Sequence, residues 1–68
     1  MLWDDFPYML RIARKKRKLT MLDVAGQTKI MLPIYRMIEQ GRLPPDEEKF
    51  EVLCKFFGFE MEDESGSE

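Results

Sequence analysis

The stretch LTMLDVAGQTKIMLPIYRMIEQGR, residues 19–42, decides how the rest of the chain is read. Thr20 stands before a short apolar-periodic run, and Asp23 follows three residues later. At that spacing side-chain oxygens can cap the unpaired N–H groups of a helix start. Met21, Val24 and Ala25 give the run a narrow apolar side. Gln27, Thr28 and Lys29 then interrupt it as a tight polar turn, and a second periodic run of Ile30, Ile34, Tyr35 and Ile38 is closed by Gly41. The pattern predicts two short helices joined by a turn, the second running from about Met31 to Gln40.

Upstream, Phe6, Met9, Leu10 and Ala13 share one side of a helix predicted from about Phe6 to Lys18, with Arg11, Lys15 and Lys16 opposite. Asp4 or Asp5 would cap it, which places Pro7 in the first turn, where its missing N–H costs no bond. Trp3 and Phe6 are expected to fold back on the body. Arg14 to Lys18 are five consecutive cations that match the dipole of the helix end. They read equally as a solvated face or as a strip for phosphates, and five residues exceed one turn, so they cannot all face one surface.

Downstream, Arg42-Leu43-Pro44-Pro45 makes a rigid connection, and Asp46 can cap a last helix with Glu47 and Glu48 in its acid-favouring first turn. Phe50, Leu53, Cys54 and Phe57 repeat at helical spacing until Gly58. Phe56 and Phe59 are left over. They either close the underside of the domain or serve as dimer contacts.

The 68 residues suit one small domain, expected over residues 1–59, followed by an acidic, disordered tail over residues 60–68. All eleven Lys/Arg and eight of the Asp/Glu lie up to Phe59, a balance of +3, whereas the tail carries five acids and no base, −5. One Cys and no His leave neither a disulfide within the chain nor a Cys/His metal site, and Cys54 reads as a small core residue. No cofactor loop or catalytic set is present, so a non-enzymatic protein is expected. No run is long enough to span a membrane and no signal peptide opens the chain, so a cytoplasmic location is expected.

The spacing of these elements resembles the Cro and phage-repressor type of helix-turn-helix regulators. Members open the first motif helix with Leu-Ser-x-x-x-(apolar)-Ala, here Leu19 to Ala25, and end the second with (apolar)-Glu-x-Gly, here Ile38-Glu39-Gln40-Gly41. Glu39 stands fourteen positions after Ala25 (39 − 25), the family's separation. Leu10-Arg11-Ile12-Ala13-Arg14 matches the Leu-Arg-x-x-Arg of the family's first helix. Pro45 and Phe57-Gly58-Phe59 match the opening and close of its last. Lys18 takes a position where members often have Gly, so a left-handed backbone is expected there.

The resemblance implies an all-α, lambda-repressor-like domain of four or five helices. It also implies a structural ion pair between Arg14 and Glu39. Carried over residue by residue, it puts Leu32, Pro33, Arg36 and Met37 at base-facing positions of the recognition helix and Thr20 and Met21 at the phosphates. Lys29 and Arg42 flank that face. The base-facing positions depart from the usual Gln, Ser, Arg or Asn, leaving Arg36 as the residue able to grip a guanine. Apolar side chains can still touch thymine methyls, and DNA shape can add specificity. The expected function is a small repressor of phage or mobile-element type, acting as a homodimer on double-stranded DNA. The alternative is a protein-interaction module, an antirepressor or inhibitor, that uses Met31, Leu32, Pro33 and Met37 as an adaptable apolar patch.

Overall fold

Amphipathic periodicity becomes four helices in the computed structural model, which describes residues 2–59, with side chains from Asp5 onward. They are α1 (Leu2–Lys16), α2 (Met21–Thr28), α3 (Leu32–Glu39) and α4 (Glu47–Phe57), and no strand occurs among the described residues. The acidic tail expected over residues 60–68 and the side chain of Trp3 lie outside what is described. Phe6 and Leu10 from α1, Val24 and Ala25 from α2, Tyr35 and Ile38 from α3, and Leu53, Cys54 and Phe57 from α4 meet in one core, with Ile30 added from the turn. Burial pushes the Cys54 thiol above its usual range, which suits an inert core residue.

Each helix ends in the same way. A residue with left-handed backbone, Lys18 (φ 58°), Lys29 (φ 62°), Gly41 (φ 77°) or Gly58 (φ 73°), turns the chain. The next N–H then reaches back to a carbonyl in the last turn: Leu19 to Arg14 at 3.1 Å, Ile30 to Ala25 at 3.1 Å, Arg42 to Met37 at 2.9 Å and Phe59 to Cys54 at 2.9 Å. This is the Schellman closure, which satisfies carbonyls that a helix end would leave unpaired. In three of the four cases the residue after the left-handed one is an apolar side chain, Leu19, Ile30 or Phe59, directed onto the core.

Two expectations are corrected. Helix α1 begins a full turn before Phe6, so Pro7 lies inside it and no N–H there can bond to residue 3. Packing holds the proline in place: it lines an apolar hollow with Phe6, Ile38 and Leu43, and its Cγ sits 3.6 Å from where a Cβ on Gly41 would lie. The turn of the motif also moves. Gln27 and Thr28 belong to α2, because the Thr28 hydroxyl donates to the Val24 carbonyl at 2.7 Å and can therefore be buried, and the chain turns at Lys29 to Met31 instead.

The start of α2 carries a full capping box. Thr20 Oγ1 accepts from the Asp23 N–H at 3.0 Å, and Asp23 Oδ2 accepts from the Thr20 N–H at 2.9 Å. These bonds hold the Asp23 carboxyl below the usual carboxylate range. Asp46 caps α4 in the same manner, accepting from the Lys49 N–H at 2.8 Å.

Candidate nucleic-acid interface

The orientation of α3 is fixed at its C-terminal end. Arg14 on α1 donates from Nε to Glu39 Oε2 at 2.7 Å and from Nη2 to Oε1 at 3.1 Å, a two-pronged pair, while Nη1 reaches the Leu19 carbonyl at 3.1 Å. The Tyr35 hydroxyl, one turn back on α3, donates to Glu39 Oε2 at 2.8 Å. Glu39 is 3% exposed, and no buried side-chain N or O among the described residues lacks a partner. The hydrogen bond to Glu39 raises the Arg14 pKa. Burial, reinforced by the same carboxylate, pushes the Tyr35 hydroxyl far above its ordinary range. Both groups stay in the protonation state the network needs.

With Tyr35, Ile38 and Glu39 turned inward, α3 presents Pro33, Arg36 and Gln40 to solvent. Met37 is half-buried, and Leu32 is half-buried with its side chain packed against the core, so it offers an edge rather than a whole side chain. The start of α3 is bare. Met31, its N-cap, makes no side-chain capping bond and is 71% exposed, while Pro33 removes one N–H that the first turn would leave unpaired.

The other candidates fall into separate places. Thr20 is exposed at the tip of α2, and its capping role occupies the oxygen as an acceptor. Met21 is half-buried in a shallow depression bordered by Arg11, Lys15 and Gln40, three donors that the sequence pattern alone does not mark as neighbours of this helix start. Lys29 borders a different hollow, with Met31, Ile34 and Lys49, and Arg42 is exposed just past α3. The structure thus brings Met21 to the cations of α1, while Lys29 borders a separate hollow.

The basic run divides. Arg14 is held by Glu39. Arg17 folds back over the end of α4, donating to the Phe56 carbonyl at 2.8 Å and the Phe57 carbonyl at 3.0 Å, with its guanidinium 5.8 and 5.3 Å from their rings. The unpaired carbonyls of a helix C-terminus draw a cation in this way. Lys15, Lys16 and Lys18 remain exposed for other uses. Phe56 and Phe59, the dimer candidates, are both half-buried. The Phe56 ring lies 4.9 Å from Phe57, and Phe59 stacks on Phe57 at 5.6 Å and meets Phe6 edge-on at 6.1 Å. Phe59 therefore closes the underside of the core within one chain.

Comparison with protein families gives a match to the family described as helix-turn-helix domain over residues 8–64, most of the chain. The chain belongs to the helix-turn-helix domain family. The match is to helix-turn-helix domains at large and does not single out the Cro and phage-repressor type. No curated protein and no solved structure gave a match. At the general level, a helix-turn-helix domain is a DNA-binding regulator. Among the described residues no helix is long and apolar enough to cross a membrane.

Proposed function

We propose that this helix-turn-helix domain is a sequence-specific repressor of phage or mobile-element type that binds double-stranded DNA as a homodimer on paired half-sites. In this reading α3 enters the major groove. Arg36 grips a guanine, while Pro33, Met37 and the edge of Leu32 press on thymine methyls. Thr20, Lys29 and Arg42 contact phosphates, joined by Arg11 and Lys15 beside Met21. One observation carries it. The Arg14–Glu39–Tyr35 tie locks α3 in a rotation that leaves Arg36 exposed on the outer face of the motif's second helix.

The second reading, an apolar docking patch for a protein such as an antirepressor's target, draws support from the 71% exposure of Met31 beside half-buried Leu32 and Met37. Salt separates the two. With about four phosphate contacts, duplex affinity falls roughly a hundredfold between about 50 and 200 mM salt. Contact through an apolar patch barely responds to the same change. A titration of duplex DNA at several salt concentrations that yields a flat plot, or no binding at the lowest salt, overturns the DNA reading.

A further inference from the structure

Helix α1 has an outer face whose exposed members serve neither the core nor the base-facing positions, with Ala13 packed partly on the core and the Arg11 guanidinium 6.0 Å from the Tyr8 ring. Asp5, Tyr8, Ile12 and Lys16 are exposed along it, with Tyr8 at 61% and Ile12 at 39%, and Met9 and Ala13 are half-buried beside them. Tyr8, Met9, Ile12, Ala13 and Lys16 share one groove with Phe59. The stripe is apolar in the middle, acidic at its N-terminal end and basic at its C-terminal end. Neither Asp5 nor Lys16 has an opposite charge three or four positions away along α1.

The order of residues is complementary to itself when reversed. If two copies of α1 cross antiparallel about a two-fold axis, in the register where facing positions sum to 21, Asp5 meets Lys16 of the other copy. In the same register Tyr8 meets Ala13 and Met9 meets Ile12. A large ring faces a methyl group, two medium apolar chains meet at the axis, and each ion pair occurs twice. An isologous interface requires this pairing of one patch with its own reverse. We propose that this face of α1 binds a second copy of the chain, forming an antiparallel α1–α1 dimer closed at both ends by Asp5–Lys16 ion pairs. The surface deepens the homodimer element of the proposed function by naming where the two copies meet. Arg36, Thr20 and Arg42 are not among the residues of this face. One pair of 15-residue helices buries less than the roughly 1,200 Å² at which stable interfaces begin, so the dimer is weak and concentration-dependent.

Sedimentation velocity of the full chain without DNA, from about 10 µM to about 1 mM, tests it. The expected result is a monomer–dimer equilibrium. Asp5→Lys or Lys16→Asp alone, each placing two like-charge pairs across the axis, weakens association about five- to tenfold. The double reversal Asp5→Lys/Lys16→Asp restores it to within about threefold of the original. Ile12→Asp abolishes the dimer, and far-UV circular dichroism verifies that each variant keeps its helices. A chain monomeric throughout overturns the proposal. So does a dimer indifferent to these changes, or one in which the double reversal fails to rescue. Duplex binding measured separately keeps the readings apart: a monomer that binds DNA removes only this surface, and a dimer that does not bind removes only the DNA reading.

Discussion

The two ends of α3 are built on opposite plans. At the C-terminal end, Tyr35, Ile38 and Glu39 are buried, the carboxylate accepts from two residues, and the helix closes through the Gly41 N–H to the Ile38 carbonyl and the Arg42 N–H to the Met37 carbonyl. At the N-terminal end there is no side-chain cap, a proline stands in the first turn, and Met31 projects into solvent. The buried C-terminal side chains carry the position of the helix, and the outward positions, Pro33 near its start and Arg36 in its last turn, carry what it can touch. Pro33 and Arg36 can therefore change without unseating α3, because Tyr35, Ile38 and Glu39, which hold it, face inward.

Cutting the buried tie is the severest way to test that contrast. Glu39→Ala leaves the Arg14 guanidinium, whose side chain is 12% exposed, without its carboxylate, and is expected to cost about 3 kcal/mol. For so small a domain that is much of the total stability, so urea unfolding at 25 °C should show a largely lost native baseline. Tyr35→Phe removes only the hydroxyl donor and is expected to cost about 1.5 kcal/mol. It also changes the alkaline limb. The folded Tyr35 holds its proton well above the ordinary tyrosine value, so its contribution is complete below about pH 10 and declines as pH rises beyond it. Melting curves across that range should therefore flatten in the phenylalanine variant, and an unchanged slope would detach Tyr35 from the tie.

Smaller changes sharpen the comparison outside α3. Thr20→Ala removes half of the capping box and is expected to lower stability by about 1 kcal/mol, readable as a lower urea midpoint at constant slope. Lys18→Gly relieves a left-handed lysine and is expected to raise stability by about 0.5 kcal/mol, the smallest effect of the set. A loss there would mean that the Lys18 side chain makes a favourable contribution greater than its backbone strain.

The legible and illegible parts of the fold divide by mechanism. Gly41 and Gly58 mark their helix ends in the sequence because glycine enters the left-handed region without steric cost. Lys29 does the same job and gives no such sign; Gln27 and Thr28 look like loop residues because nothing in the order of residues reveals that the Thr28 hydroxyl closes on the Val24 carbonyl. Pro7 reads as a helix start on local grounds, yet it lines a hollow with Ile38, Gly41 and Leu43, residues far along the chain, and that packing prevails over the missing bond.

The candidate interface follows the same rule. The spacing of Arg14 and Glu39 is visible as a pattern. The return of Arg17 to the end of α4, and the grouping of Arg11, Lys15 and Gln40 around Met21, exist only once the helices are packed.

Base reading by α3 is tested most directly by a selection from random duplex DNA with the full chain, run beside Arg36→Ala. One sequence motif containing a guanine is expected to be enriched, and the variant, as stable as the parent because Arg36 is exposed, is expected to lose or relax preference at that base. Enrichment of no motif, or of the same motif by both proteins, would contradict base reading by α3.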